Sequence, residues 1–146
     1  MKLTFLGTGT STGVPELRCD CEVCRSTDPR DKRMRCSALV ETADARVLID
    51  CGPDFYHQML RAGQPSLDCL IVTHSHYDHL GGIDDLRPYC TAISGGFPVY
   101  CREDVARDIR TRLPTVSVLT LIPGRRGSAS MRSRPENRSP SRRSPR

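Results

Sequence analysis

The alternation of apolar and polar positions predicts a first half rich in strands. Residues 2–9 alternate and then break into a glycine-rich loop, which indicates a strand that ends in a tight turn. Ser37–Thr42 and Arg46–Asp50 are predicted as two strands around an Ala43-Asp44-Ala45 turn. Between them and the first strand, residues 14–36 lack periodicity. This segment is therefore predicted as a long loop, a class that is usually functional or held together by a ligand.

The second half alternates helices with strands. Asp54–Ala62 is predicted as a helix that stops at Gly63, and Leu67–Thr73 as a strand covered on both faces, because its apolar run is nearly continuous. A short helix around Asp84–Tyr89, a strand at Phe97–Tyr100 and a helix over Glu103–Arg112 follow. Strands mixed with helices throughout predict a layered α/β domain.

Length and hydropathy restrict where such a chain resides. A chain of 146 residues supports one domain. No apolar run reaches the roughly 20 residues of a membrane-spanning helix, and the N-terminal apolar run is shorter than the core of a secretory signal. We therefore expect no membrane association and a cytoplasmic location.

The net charge of +5 comes entirely from the C-terminal end. Residues 124–146 contain eight Arg and one Glu, whereas residues 1–123 contain 14 Lys or Arg and 16 Asp or Glu. The tail consists mostly of Arg, Ser and Pro, so it cannot bury a core and is predicted to be disordered. A mildly acidic folded part makes nucleic acid an unlikely partner.

The strongest chemical signal directly follows the buried strand. His74, His76, Asp78 and His79 lie within six residues, and three of the four histidines of the chain fall there, which disfavours a chance polar loop. His74 and His76 can face one locus while Asp78 and His79 face a second, an arrangement that suits two metal ions about 3.5–4 Å apart. Zinc, manganese and iron all fit this donor set. His57, isolated on a predicted helix, is interpreted as a surface histidine.

A second metal signal is the sequence CDCEVC. Cys19, Cys21 and Cys24 match three corners of a tetrahedral zinc site. The fourth corner is left open between Cys36, the nearby candidate, and a residue distant in sequence. Unrelated reactive thiols and a rubredoxin-like iron site are the alternatives.

Two further features are interpreted as structural. The glycine loop GTGTSTG matches neither the dinucleotide fingerprint nor the Walker pattern, so its small residues are expected to let the first strand end close to the metal site. Cys51 and Cys69 lie in or beside apolar runs and are expected to pack as small hydrophobic side chains.

Three segments together resemble the metallo-β-lactamase-fold hydrolases. These are FLGTGTSTGVP near the N-terminus, LIDCGPD at 48–54 and THSHYDHLGGIDDLRP at 73–88, which contains the HxHxDH motif. CDCEVC resembles the branch that includes the phosphoribosyl 1,2-cyclic phosphate phosphodiesterase. The resemblance covers about residues 1–114 and implies the N-terminal half of an αβ/βα sandwich.

The resemblance also implies roles for the site. His74 and His76 would bind one ion of zinc or manganese, and Asp78 and His79 a second, with Asp78 counted as catalytic. A hydroxide between the ions would attack the phosphorus of a small phosphodiester such as a cyclic phosphate. The cysteine loop would hold one structural zinc, with a C-terminal histidine as its fourth ligand in that branch. A homodimer is compatible with this reading.

Three alternatives to this function remain open. A tRNA 3′-processing ribonuclease shares FLGTG and HxHxDH but typically lacks the CxCxxC loop. A zinc-stapled module could bind nucleic acid through its basic tail. A translation product without function is the third.

The chain departs from the resemblance in its second half. The family adds a His, a bridging Asp and another His to the metal site, yet no histidine follows His79. Residues 1–114 are therefore interpreted as a partial domain and residues 115–146 as an out-of-frame or disordered tail. We expect a hydrolase by lineage that is inactive or weak as this chain.

A single-base slip after Pro114 would explain the tail. Members of the branch often continue this segment with Tyr-Cys-Phe, and one choice of codons for Thr115-Val116-Ser117, read one base earlier, encodes those residues. Translating the alternative frame downstream of codon 114 should reveal the missing His, Asp and His. Their absence from all three frames would refute the frameshift.

Overall fold

The computed structural model describes residues 1–91, 95–114 and 119–124. Its strands are β1 Lys2–Gly7, β2 Ser37–Glu41, β3 Arg46–Ile49, β4 Cys69–Ile71, β5 Phe97–Arg102 and β6 Leu119–Gly124. Its α-helices are α1 Glu22–Arg25, α2 Phe55–Arg61, α3 Tyr77–Leu80, α4 Arg87–Cys90 and α5 Glu103–Arg112. Two 3₁₀ turns occur at Pro29–Asp31 and Ile83–Leu86. None of the helices in these ranges is long and apolar enough to span a bilayer.

The strands form one sheet whose spatial order follows the chain from β1 to β6. β1, β2 and β3 pair antiparallel, whereas β3, β4, β5 and β6 pair parallel. Parallel neighbours need crossover connections, and helices supply them after β3, β4 and β5. The predicted α/β class is confirmed, with hairpins first and crossovers afterwards.

One face of the sheet is closed by helices. The row of paired residues on this face is Thr4, Leu39, Leu48, Leu70, Val99 and Leu121. Leu48, Leu70 and Val99 are fully buried there, against apolar side chains of α2 and α5 such as Phe55 and Ile109. This packing is the hydrophobic core of the chain.

The opposite face of the sheet is open. Its paired residues also form an apolar row across all six strands: Phe5, Ala38, Ile49, Ile71, Tyr100 and Ile122. Phe5 is 68% exposed and Leu3, two residues before it, is 51% exposed. One covered and one open apolar face is the arrangement expected of half a sandwich, in which a second layer would complete the core.

The long loop between β1 and β2 is fastened back onto the end of β1. Gly9 bridges to Arg35, and Val14 pairs with Arg33 through two backbone hydrogen bonds of 2.8 Å. A Cβ on Gly7 or Gly9 would lie 2.0 or 2.6 Å from the carbonyl oxygens of this returning segment. The glycines are therefore needed because the backbone of residues 33–35 passes directly against them, and their expected role in letting the strand end close to the metal site stays a prediction.

The structure differs from the predicted elements in four places. Helix α1 and the 3₁₀ turn Pro29–Asp31 lie within the segment that was predicted as a loop. β4 is only three residues long, because the chain leaves the sheet before the histidines. The histidine segment continues into helix α3, where the sequence pattern predicted no helix. Finally, β6 was not predicted, and it extends the ordered chain past Pro114 by pairing in parallel with β5. Residues 125–146, which hold most of the predicted tail, lie outside the described ranges.

The two faces of the sheet should respond differently to the same substitution. Leu48→Ala removes a fully buried side chain and should lower the free energy of unfolding by about 3 kcal/mol. Leu3→Ala removes a half-exposed one and should cost less than about 1 kcal/mol. Urea denaturation followed by circular dichroism measures both. Equal losses would mean that the open face is covered in solution.

Candidate metal centre

The predicted ligands gather where the chain leaves β4. His74 and His76 lie in the extended segment after the strand, and Asp78 and His79 lie in the first turn of α3. The ring centroids of His74 and His76 are 4.7 Å apart, and those of His74 and His79 are 3.9 Å apart. Oδ2 of Asp78 lies 3.2 Å from Nε2 of His79. The structure therefore brings all four side chains to one end of the strand.

A buried carboxylate, that of Asp50, lies beneath this cluster. Asp50 directly follows β3, has a left-handed backbone (φ 60°) and is only 4% exposed. Its oxygens accept hydrogen bonds from the backbone N–H of Thr73 at 2.8 Å and from the Thr73 hydroxyl at 2.8 and 3.0 Å. Nδ1 of His79 lies 2.8 Å from its Oδ2. One carboxylate thus connects the end of β3 to both ends of the ligand segment.

These hydrogen bonds set the tautomers of two histidines. Because a carboxylate only accepts, Nδ1 of His79 must carry the proton that it donates to Asp50. The single hydroxyl hydrogen of Thr73 is donated to Asp50, so the 2.9 Å contact between Thr73 Oγ1 and His74 Nδ1 needs an N–H from His74. Both neutral rings are left with an unprotonated Nε2, which is the atom that binds a metal.

The contact between Asp78 and His79 fits a bound cation. With Nδ1 protonated, Nε2 of a neutral His79 is an acceptor, and it faces the carboxylate oxygen of Asp78 at 3.2 Å. Two acceptors at that distance repel unless a proton or a metal cation lies between them. Ligand atoms about 2.0–2.1 Å from one ion are themselves separated by roughly 3.0–3.4 Å. The donor set therefore suits a divalent metal.

Backbone packing holds the end of β3 against the ligand segment. Cys51 N–H donates to the carbonyl of His79 at 2.8 Å, and Gly82 N–H donates to the carbonyl of Cys51 at 2.9 Å. A Cβ on Gly52 would lie 2.0 Å from the carbonyl oxygen of Asp78, and one on Gly82 would lie 2.1 Å from that of Gly52. Glycine is required at both positions because two backbones are in direct contact there.

Helix α5 fixes the residue between the first two histidines. The Ser75 hydroxyl donates to Asp108 Oδ2 at 2.5 Å, and an Nη1–H of Arg112 donates to the Ser75 carbonyl at 2.7 Å. Asp108 and Arg112 are four residues apart and thus on one face of the helix. The segment from His74 to His76 is consequently held from two sides, by Asp50 below and by α5 beside it.

The three clustered cysteines form a second group. One sulfur atom each from Cys19, Cys21 and Cys24 lies within 4.8 Å of the other two, and in the described part of the chain this is the one such group of three metal-ligand atoms. Cys36 does not belong to it. The backbone N–H of Cys24, followed by the thiols of Cys19 and Cys24, lowers the pKa of Cys21 and favours its thiolate.

The remaining candidates are placed as follows. His57 is exposed on α2, with its ring edge-on to Tyr56. Cys51 and Cys69 are buried, as expected, and burial raises the pKa of both thiols. Sequence reasoning missed Asp50 and Thr73 as supports of the ligands. The sequence feature that could have identified Asp50 is an acidic residue at the end of an apolar strand, followed by Cys-Gly.

Comparison with known proteins finds a family model that matches residues 45–128, that of the beta-lactamase superfamily domain. In the solved structure of a new diphosphatase from the PhnP family, 39% of the aligned residues are identical, with a TM-score of 0.81. The alignment covers 88% of this chain and 52% of that protein. This chain therefore spans about half the length of that relative.

Curated relatives match over smaller parts of their length. An octanoyltransferase of Porphyromonas gingivalis is 50% identical over 125 residues, which cover 85% of this chain and 25% of that protein. A ribonuclease Z of Bradyrhizobium diazoefficiens is 40% identical over 86 residues, covering 58% of this chain and 23% of the ribonuclease. In each match, about three quarters of the relative lies outside the aligned region.

The tight contact at Gly52 predicts that a substitution there disturbs the segment that carries the proposed ligands. Gly52→Ala should lower the free energy of unfolding by about 2–3 kcal/mol and shift the imidazole NMR signals of His79, because the added methyl group displaces the backbone of Asp78. Gly63→Ala is the control. Gly63 has open space around it and only its left-handed backbone (φ 78°) to strain, so it should cost about 1 kcal/mol and leave His79 unchanged. Unshifted signals in Gly52→Ala would contradict this packing.

Proposed function

Because the chain belongs to the β-lactamase superfamily domain family, we propose that its histidine and aspartate cluster holds two divalent metal ions for the hydrolysis of a phosphodiester. His74 and His76 contribute to one ion, and Asp78 and His79 contribute to the other. Zinc and manganese both suit imidazole with carboxylate.

The observation that carries the proposal is the network below the cluster. Asp50 and Thr73 lie within hydrogen-bond distance of the Nδ1 atoms of His79 and His74, which leaves Nε2 of each ring for a metal ion. Metal-binding histidines typically donate their second N–H to a carboxylate or another acceptor. A surface cluster without a ligand would have no need for a buried carboxylate beneath it, since burying that charge is costly.

The metal ions and the side chains would have different roles in the reaction. Bound ions would lower the pKa of water and offset negative charge on phosphorus. Asp50 holds His79 at Nδ1 and Thr73 holds His74 at Nδ1, so each ring is fixed in direction and presents Nε2 to a metal ion. The Asp78 carboxylate, with its side chain 18% exposed, faces His79 and supplies a ligand of negative charge. Ser75, clamped by α5, keeps His74 and His76 at their separation.

A phosphorus–oxygen bond is the target that the relatives favour. A diphosphatase and a ribonuclease are among the proteins similar to this chain. The CxCxxC loop with Cys19, Cys21 and Cys24 favours a small phosphodiester over tRNA, because the tRNA 3′-processing ribonucleases that this chain resembles typically lack that loop. Octanoyl transfer is not assigned to this chain, since the match covers only a quarter of that relative.

The chain supplies only part of the coordination. Two protein ligands per ion are fewer than the three that a catalytic zinc site normally uses, and no histidine follows His79. We therefore propose that the chain alone binds these ions weakly and turns over slowly.

The proposal is tested by comparing two histidine variants. The purified chain is equilibrated with Mn²⁺ or Zn²⁺, and its bound metal and its hydrolysis of bis(p-nitrophenyl) phosphate are measured. His76→Ala should weaken metal binding at least about tenfold and remove the metal-dependent hydrolysis. His57→Ala, at the exposed histidine on α2, should leave both unchanged. Retention of both properties in His76→Ala would refute the assignment.

We also propose that Cys19, Cys21 and Cys24 bind one structural zinc, with the fourth ligand left unassigned. Their sulfur atoms are already within 4.8 Å of one another, and thiolates leave no open position for catalysis.

Cysteine variants separate a structural from a catalytic role for this zinc. Cys21→Ser should remove one zinc per chain and lower the thermal midpoint, whereas any hydrolysis per folded molecule should persist. Cys36→Ser, an exposed cysteine outside the group, is the matched control and should change neither. Lost turnover with unchanged zinc content and stability would contradict a structural role.

A further inference from the structure

We propose that a basic groove beside the metal cluster binds a phosphate group of the substrate other than the one that is cleaved. The groove is formed by residues 12–15 and 32–35 together with Asp54 and Arg61. The claim that this phosphate belongs to the substrate rests on the proposed function. The binding of phosphate to the groove does not depend on it.

The charge of the groove is opposite to that of its surroundings. Four of its lining residues are basic, namely Lys32, Arg33, Arg35 and Arg61, and one, Asp54, is acidic. Residues 1–123 as a whole carry two more acidic than basic side chains. A local excess of three positive charges on an acidic background attracts an anion to this place on the surface.

Two of the four cations have no partner among the residues that the structure describes. Arg35 donates to Asp54 Oδ1 at 2.9 Å and to the Ser11 carbonyl at 2.8 Å, so it is part of the wall. Lys32 Nζ lies 3.3 Å from the Cys24 carbonyl. By contrast, the guanidinium groups of Arg33 and Arg61 form neither hydrogen bonds nor ion pairs with residues that the structure describes. They are the groups available to a ligand.

The groove is held in shape before any ligand binds. Val14 and Arg33 exchange two backbone hydrogen bonds of 2.8 Å across it. Asp54 fixes Arg35 twice, through the backbone N–H at 2.8 Å and through the guanidinium. Gln58 of α2 donates to the Arg35 carbonyl at 2.8 Å. Since the surrounding residues are already ordered, the ordering of the protein itself on anion binding is limited to the two free arginine side chains.

The groove adjoins the proposed metal cluster through the segment after β3. Asp54 lies two residues beyond Gly52, whose Cα is in contact with the backbone of Asp78. The same segment begins at Asp50, which orients His79. One short segment, residues 50–54, therefore contacts the histidine cluster at its start and lines the groove at its end, and this adjacency is the reason for assigning both to one ligand.

The size of the groove favours a single group. Its volume is about 220 Å³, which is below the roughly 300 Å³ at the lower end of complete small-molecule sites. Guanidinium groups bind phosphate oxygens by paired, charge-assisted hydrogen bonds. The groove thus suits one phosphate end of a small ligand, such as a phosphorylated sugar, and the proposal excludes a nucleic acid strand.

The test measures phosphate binding by the full chain with and without divalent metal. Inorganic phosphate is titrated into ¹⁵N-labelled protein in EDTA, and the arginine side-chain and backbone signals of residues 12–15 and 32–35 are followed. The Arg33→Gln, Arg61→Gln double variant should bind at least about tenfold more weakly, because charge-assisted hydrogen bonds are lost. Arg107→Gln, Arg110→Gln, at exposed positions on α5, is the control and should bind within twofold of the original chain.

The outcomes keep this proposal apart from the proposed function. Phosphate binding that survives EDTA and depends on Arg33 and Arg61 supports the groove, even if the histidine cluster proves to bind no metal. Equal binding by the double variant and the original chain would overturn it, as would an equal loss in the α5 control. Tighter binding of an eight-nucleotide RNA than of phosphate, with the same dependence on both arginines, would also overturn it in favour of a nucleic acid site.

Discussion

The buried carboxylate of Asp50 is the interaction on which the arrangement of the ligands depends. It receives the backbone and hydroxyl of Thr73 and the ring of His79, and thereby fastens the end of β3 to the segment that follows β4. A carboxylate that is 4% exposed is costly to bury without such partners. Its hydrogen bonds repay that cost, and the contact with Nδ1 of His79 leaves Nε2 of that ring facing the proposed metal site. The same carboxylate therefore stabilises the loop and positions a proposed metal ligand.

In the described part of the chain, the sheet has one apolar face without a covering layer, and the proposed metal site has few ligands for each ion. An apolar row crosses all six strands on the open face, with Phe5 68% exposed, and the histidine cluster offers two ligands for each proposed ion. The chain spans about half of a solved relative that it matches with a TM-score of 0.81. A second layer over the open face would bury the apolar row and bring further side chains to the end of the strands where the histidines lie.

Local sequence patterns predicted most of the strands and helices but not the contacts between them. Glu103–Arg112 was predicted with its observed bounds, because its apolar residues recur at helical spacing and acidic residues begin it. The two hairpin strands followed from alternation alone. β6 was not predicted, because it forms by pairing with β5, which is distant in sequence, and no local pattern indicates a strand there. The support by Asp50 was missed for the same reason, since Asp50 and His79 are 29 residues apart. A HxHxDH sequence shows its ligands, whereas what orients them is visible only in three dimensions.

The tautomeric states of His74 and His79 test the central claim most directly. Long-range ¹H–¹⁵N NMR correlations of the imidazole rings in the metal-free chain, at a pH where the rings are neutral, distinguish the two forms. The account predicts that both rings carry their proton on Nδ1, and that the unprotonated Nε2 signals move when Zn²⁺ is added. Protons on Nε2 of both rings would show that Asp50 and Thr73 do not orient the histidines for metal, and would contradict the account.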